Sequence, residues 1–382
     1  MERRIKEFLE EREKSGLLRE LTEVSPVKGG RVRVRGKEYI NFSSNDYLGL
    51  SMHPELARAG REAFEMASGS AASRLMTGST GMHHDLEERM ARFKGKPAAL
   101  VFNSGYQANV GIISALCEKG DAVFSDRLNH ASIVDGIGLS GARFFRFRHN
   151  DTGHLESLLR KERGKFREAL IITETVFSMD GDLAPLKEIV MLKKEFDSLL
   201  MVDEAHATGI FGKNGSGLAE ETGTAPDVDV IMGTFSKAFG SFGSYAATSA
   251  GMRDYLINTC RSFIYSTALP PSVIAADLAA LDIIRREPRR RKKLLENAGY
   301  LRVILKEKGF NVAGSSQILP VILGENEAAL CASERLKEKG YWVTPVRYPT
   351  VPKGKARLRI SLTYDHKRED LERFANDIGG FR

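Results

Sequence analysis

The sequence predicts an α/β fold: a large unit built on a mainly parallel seven-stranded sheet, and a smaller α+β unit at the carboxyl-terminal end. Three observations predict it. Between Pro97 and Ala250, short apolar runs alternate with amphipathic stretches long enough to hold a helix. The runs are continuous, as at 199–202, which marks strands covered on both faces. After Pro270-Pro271 the pattern changes to a long helical stretch followed by separate strands.

In chain order, the first 21 residues are rich in Glu, Arg and Lys, with Ile5, Phe8 and Leu9 on one stripe of a surface helix. The strands of the large sheet are expected at 98–102, 122–125, 143–147, 169–174, 199–203, 228–233 and 244–248, with a helix at 186–196 among the connections. Beyond them come a helix at 273–284 and runs at 318–323, 342–347 and 356–363, with a helix between the first two runs. In the last run Leu358, Ile360 and Leu362 alternate with Arg357, Arg359 and Ser361, the period of a strand with one buried and one polar face. A length of 382 residues exceeds the roughly 250–300 at which a single core stops growing. The expected division is a segment 1–40 that joins the small domain, a large domain 41–270 and a small domain 271–382.

Composition narrows the function classes. Hydrophobic residues at 42% and charged residues at 28% exclude a disordered, collagenous or coiled-coil chain. Cys117, Cys260 and Cys331 form no Cys-x-x-Cys pair, which points to a reducing compartment and away from structural zinc. The amino terminus has no apolar core of a secretory signal, and no apolar run approaches the ~20 residues of a membrane span. A cytoplasmic protein without membrane partners is expected. The net charge of +7 is small for this length. Its one concentration, Arg285, Arg286, Arg289, Arg290, Arg291, Lys292 and Lys293, has no interleaved aromatics and reads as a solvated helix face or loop, with a docking patch for something acidic as the alternative.

Two motifs mislead. The run 136–141 matches G-x-G-x-x-G, but the residues before it look helical, whereas a dinucleotide loop follows a strand. Asp203-Glu204-Ala205-His206 resembles the acidic box of a nucleotide-dependent helicase, but no G-x-x-x-x-G-K-[ST] loop accompanies it. The eight His show no metal-binding spacing, and His83-His84 reads as exposed at a helix start.

The informative set stands at the carboxyl ends of the expected strands, where open α/β sheets bind ligands. After 98–102, Asn103-Ser104-Gly105-Tyr106-Gln107 opens a helix whose small residues and dipole suit a phosphate, and Tyr106 can stack on a planar ring. Asn129-His130, Ser178, Asp203 with His206, and Thr234-Phe235-Ser236-Lys237 follow the next strands. Lys237 is set among small and apolar neighbours, an environment that lowers an amine's pKa and favours a Schiff base. A strand-end Asp for a pyridinium nitrogen, a Lys for an aldehyde and a phosphate cradle together fit pyridoxal 5'-phosphate.

These residues lie in longer stretches that resemble the α-oxoamine synthase family. They are Asn41-Phe42-Ser43-Ser44-Asn45-Asp46-Tyr47-Leu48-Gly49, Asp126-Arg127-Leu128-Asn129-His130-Ala131-Ser132, Val176-Phe177-Ser178-Met179-Asp180-Gly181-Asp182, residues 202–206, residues 234–237, Tyr265-Ser266-Thr267 and Arg357-Leu358-Arg359. The resemblance implies a fold-type-I pyridoxal-phosphate-dependent transferase and a homodimer. It also implies roles. Lys237 would hold the cofactor as a Schiff base, Asp203 would meet the pyridinium, and His206 and Ser178 would bond near the ring hydroxyl. His130 would stack on the ring and assist catalysis, while Gly105, Tyr106 and Thr234 would line the cofactor. Arg359 would clamp the amino-acid carboxylate, and Arg19, Asn45, His130 and Thr350 would stand on the substrate side. The Ser43-Ser44-Asn45-Asp46 opening and Pro349-Thr350-Val351-Pro352 most resemble the branch of the family that joins L-alanine to a pimeloyl thioester, carried on CoA or acyl carrier protein, for biotin synthesis. The alternative branch joins glycine to acetyl-CoA.

Overall fold

The computed structural model describes residues 1–379. Strands β1 (Ser25–Val27), β2 (Arg31–Val34) and β3 (Lys37–Asn41) form an amino-terminal meander. The central sheet contains β4 (Ala98–Phe102), β5 (Ala122–Asp126), β6 (Arg143–Phe147), β7 (Ala169–Glu174), β8 (Leu199–Asp203), β9 (Val230–Thr234) and β10 (Ser244–Thr248). The last strands are β11 (Ile318–Gly324), β12 (Tyr341–Trp342), β13 (Thr344–Val346) and β14 (Ala356–Ser361).

The central sheet runs in the order β4-β10-β9-β8-β7-β5-β6. Its pairs are parallel except those of β10, which is antiparallel to both neighbours. The exception has a local cause: only the loop 235–243 joins β9 to β10, and a parallel crossover needs a dozen residues or more. Helices Gly105–Leu116, Ala131–Ser140 and Ala250–Thr259 contribute Ile112, Ile133 and Leu256 to the core on one face. Helices Gly81–Lys94, Leu186–Glu195 and Pro271–Arg286 contribute Leu86, Ile189 and Ile274 to the other. Every residue of β4, β5, β7, β9 and β10 is buried, which is why these strands lack alternation. The parallel strands end on one rim, so Asp126, Glu174, Asp203 and Thr234 meet there. Among the described residues, no helix is long and apolar enough to cross a membrane.

Two further sheets flank this core. One runs β1-β2-β3-β12, so residues 341–342 complete the amino-terminal meander. The other runs β11-β14-β13.

Three expectations need correction. The run 342–347 is two strands in two sheets. Ser333 Oγ donates to the Val343 carbonyl at 2.7 Å and Ser43 Oγ accepts the Thr344 N–H at 2.8 Å, so the backbone groups of one ladder are diverted at that point. Strand β14 has no exposed polar face, because all six of its residues are buried. The loop after β7 covers its arginines: Arg357 Nη1 donates to Asp180 Oδ1 at 2.7 Å and to the Met179 carbonyl at 3.0 Å. Finally, His83 is buried, not exposed, with Nδ1 at 2.8 Å from Thr80 Oγ1, and burial lowers its pKa to about 4.

The basic run is partly structural. Arg290 is buried and its Nη1 donates to the Leu48 carbonyl at 3.0 Å, while Arg291 Nη1 caps the Ile284 carbonyl at 3.1 Å. Arg285, Arg289 and Lys292 remain solvated, as expected for such a face.

Candidate active site

The rim of the parallel strands encloses a cavity of about 220 Å³. Gly105, Tyr106, His130, Asp203, His206, Thr234 and Lys237, all expected from the sequence, line it. A larger crevice of about 400 Å³, lined by Lys28, Arg31, Asp46, Arg290 and Asp365 among others, lies by the amino-terminal strands and contains none of the site residues expected from the sequence.

Each lining side chain is set by a strand end or a helix start. Asp203 ends β8; its Oδ1 accepts the Ala205 N–H at 2.8 Å and its Oδ2 accepts Asn109 Nδ2 at 2.9 Å. Asn109 lies one turn into the helix capped by Ser104, whose Oγ accepts the Gln107 N–H at 3.2 Å. This helix directs its amino terminus, with its unpaired first N–H groups, at the cavity. A Cβ on Gly105 would meet nothing nearer than Met232 Cε at 3.9 Å, so it would project into open space. Thr234 ends β9; its Oγ1 donates to the Gly243 carbonyl at 2.8 Å and accepts the Ser236 N–H at 3.1 Å, which shapes the turn into Lys237. His130 caps the helix Ala131–Ser140, with Nδ1 at 2.8 Å from Ser132 Oγ and its ring edge-on to Tyr106.

The electrostatics shift the Lys237 amine toward its neutral form. Burial lowers the Lys237 pKa, against the opposing charges of Asp203 and Glu174, to about 8. Its Nζ lies 2.7 Å from His206 Nε2. Burial, followed by the positive charges of Lys237 and Arg359, holds His206 well below its usual pKa, so the ring is neutral. His206 Nδ1 lies 2.6 Å from the hydroxyl of the buried Tyr47.

Ser178 and Arg359 stand beside this cavity rather than lining it. Arg359 Nε donates to the Ser178 carbonyl at 2.6 Å, and Nη2 reaches Asn45 Oδ1 at 3.2 Å and Tyr47 Oη at 3.5 Å. Arg359, Asn45, Tyr47, His206 and Lys237 therefore form one connected set. Arg19 and Thr350 are exposed and outside the cavity. Arg347, which bonds the Gly16 carbonyl and accepts the Thr350 N–H on its own carbonyl, ties their two segments together.

Sequence reasoning missed Asn109, Ser132, Glu174 and the polar role of Tyr47. Asn109 was accessible from spacing: it lies four residues after Gly105, on the same helix face. Glu174 was accessible from topology, since it is the register partner of Asp203 on the adjacent parallel strand and so shares its face. Burial and then the charge of Asp203 raise the Glu174 pKa to about 8. Glu174 Oε1 and Asn109 Oδ1 are buried polar atoms without a partner, both at the cavity wall. Such atoms, with the acid at the floor, the amine opposite and the helix amino terminus, fit a planar polar ring bearing a phosphate, as pyridoxal phosphate does.

The loop carrying Ser178 is clamped from its other side. His149 Nδ1 lies 3.0 Å from Asp126 Oδ1, and Nε2 lies 2.7 Å from Asp182 Oδ2. Burial works to lower the His149 pKa, but hydrogen bonds to both carboxylates outweigh it and raise the value to about 10. A raised folded-state pKa stabilises fully below the unfolded value of about 6.5, and that stability is lost as pH rises toward 10. Allowing for solvent screening, about 2 kcal/mol is expected to disappear over that range. Urea unfolding at pH 6 to 10 should show a decline in the wild type that is shallower in His149→Gln. Parallel declines would refute the clamp.

The family model described as aminotransferase class I and II matches residues 37–378. The 8-amino-7-oxononanoate synthase of Geobacter sulfurreducens is 52% identical, covering 98% of this chain and 96% of its own. Among solved structures, the Sphingomonas wittichii serine palmitoyltransferase superposes with a TM-score of 0.93 at 32% identity, over 98% of this chain and 96% of that one. A structure of SPT with PLP superposes with a TM-score of 0.91 at 32% identity, over 99% of this chain and 96% of that one.

Proposed function

The chain belongs to the class I and II aminotransferase family, and we propose that it performs the 8-amino-7-oxononanoate synthase reaction of biotin synthesis. L-alanine and a pimeloyl thioester, on CoA or on acyl carrier protein, give 8-amino-7-oxononanoate, CO2 and the free thiol. The observation that carries this reading is the end-to-end match, at 52% identity, to a relative of that name. The serine palmitoyltransferase likeness stands at 32% and supports the shared fold and chemistry rather than the choice of acyl chain.

The cofactor is pyridoxal phosphate, which supplies an electron sink for a carbanion at the amino-acid α-carbon. In this reading Asp203 meets the ring nitrogen, His130 covers the ring, and the amino terminus of helix Gly105–Leu116 with Thr234 faces the phosphate. Lys237 would hold the cofactor, and its free amine would take the α-proton; a pKa of about 8 leaves an appreciable fraction of the amine neutral near pH 7. Arg359 turns its guanidinium fork to the alanine carboxylate, the geometry in which Arg binds carboxylates bidentately. Ser178 and His206 stand near the ring hydroxyl, and Asn45, Arg19 and Thr350 on the substrate side. A cytoplasmic homodimer completes the reading.

Thiol release by the cofactor-loaded protein tests it. L-alanine with pimeloyl-CoA is expected to exceed glycine with acetyl-CoA by at least about tenfold in kcat/KM, the return for about 1.4 kcal/mol of differential transition-state binding. The reverse order would transfer the chain to the acetyl-CoA branch of the chemistry.

A further inference from the structure

Tyr47 is completely buried, yet its hydroxyl meets polar groups from three separate parts of the chain. Asn45 Oδ1 lies at 3.1 Å, His206 Nδ1 at 2.6 Å and Arg359 Nη2 at 3.5 Å. A phenol has one proton to give and two lone pairs to offer, so these contacts cannot be satisfied independently. Arg359 can only donate.

The Gln317 side chain also reaches the hydroxyl. Of the patterns open to the set, two send the Tyr47 proton in opposite directions. In the first, Tyr47 donates to Asn45 Oδ1 and accepts from His206 Nδ1–H. His206 Nε2 is then bare and accepts from Lys237, 2.7 Å away, most strongly when that amine is protonated. In the second, Tyr47 donates to Nδ1, and Nε2–H donates to a neutral Lys237 amine. Asn45 Oδ1 then relies on Arg359 Nη2, at 3.2 Å, as its donor. The two patterns differ by one proton, by the tautomer of His206 and by one rotation of the Tyr47 hydroxyl: going from the first to the second, the lysine proton passes to Nε2 and the Nδ1 proton is released to solvent.

We propose that Tyr47 is a positioning residue that couples Arg359 to Lys237. A carboxylate that engages Arg359 draws Nη2 from Asn45, Asn45 then claims the Tyr47 proton, and the first pattern, with its proton on the lysine nitrogen, is favoured. Occupancy of the carboxylate clamp is thereby felt at the cofactor lysine. The proposal rests on the roles given above to Lys237 and Arg359. The neutral state of His206, set by burial among Lys237, Arg359 and His130, supports it, because a neutral ring has one proton to place. The other charges facing Lys237 are Asp203 and Glu174, and both patterns leave them in place.

The test is a pH titration of the visible absorbance of the cofactor–lysine linkage in the holoenzyme, with and without saturating propionate, which is alanine's skeleton without its amine. In the wild type, propionate should raise the midpoint by about one pH unit, the order expected for a new charge nearby. Direct attraction between propionate and the linkage persists without Tyr47, so Tyr47→Phe should retain less than half of that rise. Tyr47→Phe should also raise KM for L-alanine about tenfold with a smaller change in kcat. An unchanged propionate shift in Tyr47→Phe, or no shift in the wild type, would overturn the coupling. Should Tyr47→Phe fail to fold, Asn45→Leu removes the acceptor that distinguishes the two patterns and should show the same loss. Failure of the underlying assignment would look different: Lys237→Ala would keep the same pH-dependent band.

Discussion

Lys237→Ala is expected to reduce kcat for thiol release by about 10⁴-fold or more, because one substitution removes both the attachment point of the cofactor and the base for the α-proton. The case for so large an effect lies in the surroundings. The amine shares a cavity with Asp203, is lowered to about 8 by burial, and has a neutral His206 at 2.7 Å. Asp203 and Glu174 carry the nearest carboxyl groups, but both are buried and neither can approach a substrate carbon as an amine on a flexible stem can. The fold should survive, since the loop is anchored by the buried Phe235, Ala238 and Phe239 rather than by the lysine. Circular dichroism and the melting profile of the cofactor-free protein should therefore match the wild type, while the absorbance band of the lysine linkage is absent. Residual turnover above about 1% of wild type would contradict the assignment, since general-base removal alone accounts for 10²-fold at the least.

The sheet was legible because most of its strands, β4, β5, β7, β9 and β10 among them, are buried on both faces and read as apolar runs. The signal failed where burial came from another segment. Arg357 and Arg359 alternate with Leu358 and Ile360 as if facing water, but the loop at residues 178–180 covers them. Nothing in the local period distinguishes an arginine facing water from one facing carbonyls. The site was legible at Lys237, Asp203, His206 and Gly105 because strand ends and small-residue turns are local features. Glu174 needed the pairing of β7 with β8, and Tyr47 needed three contacts from residues 45, 206 and 359, none visible as spacing. His83 failed for the same reason as the arginines: its helix start is packed, not free.

Lys94→Ala is expected to destabilise the protein by about 3–5 kcal/mol, the cost of leaving one member of a buried ion pair alone. Lys94 ends the helix Gly81–Lys94 and has its Nζ 2.7 Å from Glu204 Oε2, with both side chains at 1% exposure. Burial opposes the lysine's charge, but Glu204 outweighs it and raises the pKa. Thr208 Oγ1 at 3.0 Å and the Ser216 carbonyl also accept from Nζ, and Glu204 Oε1 accepts the Ala219 N–H at 2.8 Å. Removing Lys94 strands the Glu204 carboxylate where water cannot reach it. The urea midpoint should fall accordingly. Combining Lys94→Met with Glu204→Gln should recover most of the loss, because the amide oxygen can still accept from Ala219 and no charge is left to desolvate. A double variant as unstable as Lys94→Ala would refute the stranded charge as the source of the cost. The site should register the change as well. Glu204 lies between Asp203 and His206, and its N–H is fixed to the Met232 carbonyl at 2.7 Å. A Glu204 side chain pushed toward solvent would drag the turn that aims Asp203 at the cavity floor. Lys94→Ala should therefore weaken cofactor retention on dialysis, a loss the double variant should also reverse.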